Sequence, residues 1–475
     1  MYIRRFTLGI GLLVLTACAT SRNERLHLGI GPAAVVETDI ARLQDPAEQL
    51  RVQQASIEKH PEFTLGVVEF NDEGLAFSRE QRNAVVKMIR DTSAGKSAII
   101  VTFIHGWKHN ATVCDDNLAC FRGVLQYLGQ RERTTGGNRP VIGVYVGWRG
   151  LTYCNVARKQ LSIWTRKRIG ERLGTNQARR FIERLILAYN DIKKEPGGQD
   201  TRFVAVGHSL GAGVLFSAVG PAYRQALHDA LTERADAAQI EVIDGYQDEN
   251  GRHINFPDLV VLANPAFEAE LYKRTPVDLA KMRDLGLRFN EAQLPLLLTI
   301  SSKSDGATRV IFPIGQGFKA LVSPIMWIRG TSYLTRNVIT AANFQPYVTD
   351  VARAVAPVSG RSSSGEQRPS NCFTGSFQAL TGANCDCDAL VPLRKAMETP
   401  QQEAVIQEGF QVRAAPRQYG NVELIPQGEN VANNPFLVVT ADRSVLNGHG
   451  DIYNPTFMSL LIDLVRRVDA TKKKR

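Results

Sequence analysis

A serine held between two glycines carries the clearest chemistry in this chain. Gly207-His208-Ser209-Leu210-Gly211 follows the short apolar run Phe203 to Val206 and leads into an apolar, Gly-spaced stretch, Ala212 to Ala218. The pattern predicts a strand, a sharp turn and a helix. The glycines let the turn tighten without a Cβ clash and leave the serine hydroxyl at its apex. An alcohol becomes a nucleophile only with a base to take its proton and an acid to orient that base. Eight histidines are available. His449 is set apart by Asn447-Gly448-His449-Gly450-Asp451, a glycine-flanked loop between the strand-like Phe436 to Thr440 and a final amphipathic helix from Pro455. Asp305 ends Ser301-Ser302-Lys303-Ser304-Asp305, after the buried-strand run Leu296 to Ile300. A carboxylate there could reach the second ring nitrogen of the base and hold its tautomer. Glu268 and Glu270, after the preceding strand Leu259 to Ala263, are rivals, and an Asp before Gly also simply caps turns.

These segments resemble, in kind and in order, those of the α/β-hydrolases. Ala98 to Ile104 reads as a strand buried on both faces and runs directly into His105-Gly106-Trp107. The resemblance implies an α/β-hydrolase fold: a mostly parallel central sheet, helices on both faces and a large insert before the last strand. It implies Ser209, Asp305 and His449 as nucleophile, acid and base, the order and loop positions that this family uses. It also implies an oxyanion hole from the backbone N–H groups of Trp107 and Leu210. His105 would shape that loop and His208 would pack beside the nucleophile. His27, His60, His109, His228 and His253 are left as solvated or locally bonded. A narrower likeness, over residues 97 to 220, is to bacterial α/β-hydrolases with a His-Gly-Tyr-Asn type loop and a Ser-Trp-Pro type segment. Here Trp107 stands for the tyrosine, Lys108 intervenes before Asn110, and Gly147 and Arg149 flank Trp148. No substrate comes with that likeness.

The start of the chain suggests an address. Met1 to Phe6 is short and basic, and Thr7 to Thr16 is an apolar core too short for a resident membrane helix. The following Ala17-Cys18 resembles the end of a bacterial lipoprotein signal. That implies cleavage before Cys18, lipidation of Cys18, and an outer-membrane lipoprotein at the cell envelope, facing the periplasm or exported. An ordinary secretory signal cut near Ala17 or Ala19 is the alternative. The lipid anchor would be the membrane contact, since no other stretch is apolar enough to span. Beyond Cys18 the seven cysteines leave Cys114, Cys120, Cys154, Cys372, Cys385 and Cys387. An even remainder in an oxidising compartment predicts disulfides, with Cys114 and Cys120 the first candidates. No ligand spacing points to a metal, and no cofactor or nucleotide loop is expected.

The segments then divide as follows: a signal with its lipidated cysteine over 1–18, a tether or N-terminal extension over 19–61 and a hydrolase core over 62–315. An insert over 316–430, a possible cap with a disordered stretch at 355–370, precedes completion of the core over 431–475. A net charge of +10 is concentrated in Arg158-Lys159, Arg166-Lys167-Arg168, Arg172 and Arg179-Arg180, near Trp164. These residues read as a solvated helix face, or as a contact for anionic headgroups or an anionic substrate. Nucleic-acid binding is not expected, because no binding module appears. The function expected is hydrolysis of a small-molecule or lipid ester through an acyl-enzyme. The alternative is a non-catalytic envelope lipoprotein that binds a partner or an acyl chain.

Overall fold

The computed structural model describes residues 23–34, 51–113, 115–151, 162–232, 239–321, 328–355, 416–428 and 430–473. Twelve strands among them form one sheet: β1 (Pro32–Ala34), β2 (Ile57–Lys59), β3 (Phe63–Phe70), β4 (Ile99–Ile104), β5 (Val141–Trp148), β6 (Arg202–His208), β7 (Leu259–Ala263), β8 (Leu297–Ser302), β9 (Asp350–Ala354), β10 (Arg417–Tyr419), β11 (Val422–Pro426) and β12 (Phe436–Ala441). Their order is β1-β2-β3-β5-β4-β6-β7-β8-β12-β9-β11-β10. From β3 through β9 every pairing is parallel. Antiparallel pairs occur at β2–β3, β9–β11 and β11–β10.

The continuous apolar runs of β4, β6 and β7 follow from burial on both faces. Ile100, Ile104, Phe203, Ala205, Val260 and Leu262 belong to one core, and Ile99, Val101, Phe103, Val204, Leu259 and Val261 to the other. The first core is covered by helices α1 (Arg79–Thr92), α3 (Ser162–Thr175), α4 (Gln177–Lys194) and α5 (Leu210–Thr232), with α2 (Asp116–Thr134) assigned to the second face. The C-terminal helix α9 (Pro455–Lys473) also covers the second face, and α6 (Arg274–Asp284), α7 (Phe312–Leu321) and α8 (Thr331–Val338) lie between in sequence. The chain is therefore an α/β protein with helices on both faces of a mostly parallel sheet. Register brings the strand ends together: Ile104 pairs with Gly207, His208 with Ala263, and Ala263 with Ile300. The loops after β4, β6, β7, β8 and β12 consequently share one edge, where ligand sites of parallel sheets form.

Two segment boundaries need correction. Residues 19–61, expected as a tether, supply β1 and β2. Apolar content does not mark these strands, because charge and backbone bonding hold them. Glu58 is fully buried against Arg122, with Nη2–Oε1 at 2.7 Å and Nε–Oε2 at 2.9 Å, and the N–H groups of Leu26 and His27 each donate to the Glu69 carboxylate at 2.8 Å. Burial would push the Glu58 carboxyl up, but the Arg122 guanidinium and the His60 ring outweigh it and hold it far below the usual range. Residues 316–430, expected as an insert, supply β9, β10 and β11 to the sheet edge. Buried Asp350 anchors them by accepting from Arg417 Nη2 at 3.0 Å, and Thr349 Oγ1 accepts from Val438 N at 2.9 Å. Residues 356–415 lie outside the described residues, and with them all but Val355 of the stretch expected to be disordered.

Among the described residues no helix is long and apolar enough to cross a membrane. Cys120 is disulfide-bonded; Cys114 and the other cysteines, Cys18 included, lie outside the described residues. Breaking the Glu58–Arg122 pair strands a buried charge. Arg122→Leu is therefore expected to cost about 3–5 kcal/mol in urea unfolding, and the double Glu58→Leu/Arg122→Leu change clearly less.

Candidate active site

The strand β6 ends at His208, α5 begins at Leu210, and Ser209 between them has φ 56°. A left-handed non-glycine residue persists only where its surroundings over-determine it. Ser209 N donates to Ala263 O at 3.0 Å, and its carbonyl accepts from Ala212 N at 3.2 Å and Ala266 N at 3.1 Å. Both glycines of the motif are required by contact. A Cβ on Gly207 would sit 2.7 Å from Ala212 Cα, and one on Gly211 would sit 2.3 Å from Ile104 O.

The structure brings Ser209, His449 and Asp305 into one hydrogen-bonded line. Ser209 Oγ lies 2.7 Å from His449 Nε2, and His449 Nδ1 lies 2.8 Å from Asp305 Oδ2. A carboxylate only accepts, so Nδ1 carries the proton and Nε2 faces the serine as an acceptor. Asp305 is fully buried, and its Oδ1 accepts from the N–H groups of Ala307 at 2.9 Å and Thr308 at 3.2 Å. Its Oδ2 also accepts from the Thr308 hydroxyl at 2.6 Å. Burial pushes the Asp305 carboxyl up, but His449 and the Thr308 donors outweigh it and hold it below the usual carboxylate range.

The His449 loop is pinned from below by His208 and by two residues that the sequence did not single out, Asn264 and Ser302. Asn264, at the end of β7 with φ 45°, donates Nδ2 to Gly448 O at 3.1 Å and to His449 O at 2.8 Å, while its Oδ1 accepts from Ser302 N at 2.9 Å. The Ser302 hydroxyl donates to Leu446 O at 2.7 Å and accepts from Gly448 N at 3.2 Å. His208 Nε2 donates to His449 O at 2.8 Å. Burial, then the nearby His449 and His109, keep the His208 ring well below the ordinary histidine value, so it is neutral. A strand-terminal Asn-Pro pair was the available signal for Asn264. Nothing local in the sequence marks Ser302 or Thr308.

The loop after β4 passes directly over the serine. A Cβ on Gly106 would lie 2.5 Å from Ser209 Cβ and 3.2 Å from its Oγ, so the Gly106–Trp107 peptide runs beside the Ser209 hydroxyl. Leu210 is the first residue of α5, and its N–H is among those that no intrahelical carbonyl takes. His105 fixes the loop through one tautomer: Nε2 accepts from Trp148 N at 3.0 Å, and Nδ1 donates to Gly106 O at 3.0 Å. Burial pushes this ring down to about 4. The Trp107 indole donates to Ser162 Oγ at 2.9 Å, tying the loop to α3. Lys108 takes φ 76°, and its N–H bonds Gly150 O at 2.9 Å. His109, expected as locally bonded, contacts Asp115 through Nδ1 at 3.2 Å.

The rival acids are engaged elsewhere. Glu268 Oε1 accepts from Lys167 Nζ at 2.7 Å and from Gln316, and Glu270 pairs with Arg336. The basic cluster is also not one solvated face. Arg166 is buried, with Nη1 3.0 Å from Asp72 Oδ1, and Lys167 is buried against Glu268, while Arg168, Arg172 and Arg180 are exposed. Arg158 and Lys159 lie outside the described residues. Among the described residues no group of three or more His, Cys, Asp and Glu could hold a metal ion.

Compared with known proteins, the chain matches no family model, no curated protein and no solved structure.

Two substitutions probe this geometry. Asn264→Ala frees the His449 loop and is expected to slow reaction of Ser209 with a fluorophosphonate about 10- to 100-fold, the scale of a small misplacement. Gly106→Ala places a methyl against Ser209 and is expected to lower the same rate by at least about 100-fold. Circular dichroism should show both variants folded.

Proposed function

We propose that the protein is a serine hydrolase of the α/β-hydrolase fold that cleaves carboxylic or lipid esters at the bacterial cell envelope. The observation that carries this reading is the line Ser209 Oγ–His449 Nε2–His449 Nδ1–Asp305 Oδ2, at 2.7 and 2.8 Å, on a serine held in a left-handed elbow. The placement of parts supports the fold assignment. The nucleophile follows the central strand β6, the glycine loop follows its neighbour β4, the acid follows β8, and the histidine follows β12.

In this mechanism Ser209 Oγ attacks the ester carbonyl while His449 Nε2 takes its proton. The N–H groups of Trp107 and Leu210 receive the oxyanion. His449 then gives the proton to the departing alcohol and leaves an acyl-enzyme. Water, deprotonated by His449, attacks that acyl group, and the proton returns to Ser209 as the acid leaves. Asp305 stays ionised throughout and holds the imidazole. For the address, lipidation of Cys18 would tether the site beside lipid substrates.

Labelling with a fluorophosphonate is the direct test. Wild-type protein should label and folded Ser209→Ala should not; equal labelling of both would sink the assignment. Asp305→Asn should cut kcat about 10⁴-fold, since the amide favours the wrong tautomer. Stability in acid follows from the lowered Asp305 carboxyl. Its ionised form contributes stability above the unfolded value near pH ~4, and that contribution is lost as pH falls through the lower folded value. Urea midpoints of wild type should therefore fall in acid more steeply than those of Asp305→Asn. Sequestration of the protein with membranes should be lost in Cys18→Ala.

A further inference from the structure

Behind Asp305 the hydrogen bonding continues into a part of the chain that the mechanism does not use. Thr308 is buried, and its hydroxyl donates to Asp305 Oδ2, the same oxygen that faces His449 Nδ1. A hydroxyl has one proton, so Thr308 Oγ1 must act as acceptor toward its other neighbour. That neighbour is Asn343, whose Nδ2 lies 3.0 Å from Thr308 Oγ1 and 2.9 Å from Thr340 Oγ1. Both amide protons are thereby assigned, and both point at hydroxyl oxygens. The Asn343 Oδ1 atom is buried and finds no partner among the described residues. An amide that leaves its carbonyl unsatisfied while both N–H groups are used is oriented by the hydroxyls, at the expense of its own oxygen.

Asn343 is well placed to hold that orientation. It lies on the 3₁₀ turn Ala341–Asn343, in the segment that separates the acid loop from β9. The backbone just before it is clamped to the loop after β7: Ala269 N donates to Ile339 O at 2.9 Å, and Ala341 N donates to Phe267 O at 3.1 Å.

We propose that Thr308 and Asn343 are positioning residues that extend the Ser209–His449–Asp305 line to five members, with the Asn343 amide setting the direction of the Thr308 proton and so the charge that Asp305 presents to His449. With Nδ2 toward Thr308, the hydroxyl must give its proton to Asp305. With an acceptor in that place, the hydroxyl would turn and leave the carboxylate one donor short. A carboxylate with fewer donors keeps more negative charge facing His449, so the acid limb of the reaction would move to higher pH. Other charged groups near the line are already placed. His208 under His449 is neutral, His109 lies beyond it against Asp115, and Asp451 sits on the His449 loop. On the acid loop Lys303 pairs with Asp442 and Arg309 is bonded to Lys303 O, while Lys167 and Glu268 pair with each other below Phe312.

This inference rests on the hydrolase reading, and the experiment separates the two. The full chain is assayed for kcat/KM with p-nitrophenyl butyrate across pH, as wild type, Thr308→Val, Thr308→Ser and Asn343→Asp. The aspartate is nearly isosteric but can only accept, so it should capture the Thr308 proton. Thr308→Val and Asn343→Asp should each move the acid limb up by about half a pH unit or more, and Thr308→Ser should keep the wild-type limb. The two changes combined should shift it little more than Asn343→Asp alone, because one donor is lost in either case and the aspartate's own charge is common to both. A limb that stays in place in either shifted variant, or one that moves equally in Thr308→Ser, overturns the proposal while leaving the hydrolase reading intact. If one variant fails to fold, the limb of the other decides. An absence of Ser209-dependent turnover in wild type overturns the hydrolase reading itself.

Discussion

The candidate site depends on one constraint, the left-handed backbone of Ser209. For an L-residue that conformation costs about 1–2 kcal/mol, and nothing in serine itself offsets it. The compensation is spatial. The strand end and helix start can approach only because Gly207 meets Ala212 and Gly211 meets the carbonyls of Ile104 and His105 without side chains between them. Backbone bonds to Ala263, Ala212 and Ala266 then lock the turn. The same contacts that hold the strain bring the β4 loop over the hydroxyl, so the geometry of Ser209 and of the glycine loop is one packing event.

Around this centre, ion pairs fasten the outlying segments beside their apolar contacts. Glu58–Arg122 ties the N-terminal strands to α2, Asp72–Arg166 ties the β3 end to α3, and Asp350–Arg417 ties the last hairpin to β9. Arg202 and Arg139 converge on Asp469 and fasten α9 to the opposite edge of the sheet from the site. Such pairs add little net stability over well-packed apolar residues, yet they tolerate only one register. They are suited to holding short strands whose sequences carry no strong pattern.

That distinction explains how far the sequence could be read. The strands β4, β6, β7, β8 and β12 announce themselves as apolar runs because both of their faces are covered, and the three residues of the line each follow such a run. The strands β1, β2, β10 and β11 are short edge elements. Ile57-Glu58-Lys59 looks solvated until Arg122, on a distant helix, is brought beside it. The same applies within the site. Ser209 has a motif and His449 has flanking glycines, whereas Asn264, Ser302 and Thr308 act through hydrogen bonds to residues that lie far away in the chain or that carry no motif. Arg166 and Lys167 were read with their exposed neighbours as one basic face. Helical spacing instead turns them inward to Asp72 and Glu268.

The histidines show why the arrangement needs this supporting shell. In the proposed hydrolase His449 gains a proton when Ser209 reacts, and a charged neighbour would oppose it. His208 is the nearest ring, its centroid 5.0 Å away, and deep burial keeps it neutral. Its one N–H is used on the carbonyl of His449 itself, so the ring that could have repelled the base fixes that base's backbone. His105 is likewise kept neutral by burial and is spent on the glycine loop, while His109, which Asp115 holds above the ordinary histidine value, stands one ring further out. Positive charge is thus excluded from the two rings that touch the serine's surroundings. The site leaves His449 as the ring with a carboxylate behind it and a hydroxyl in front, and that asymmetry makes proton transfer from Ser209 the chemistry the arrangement favours.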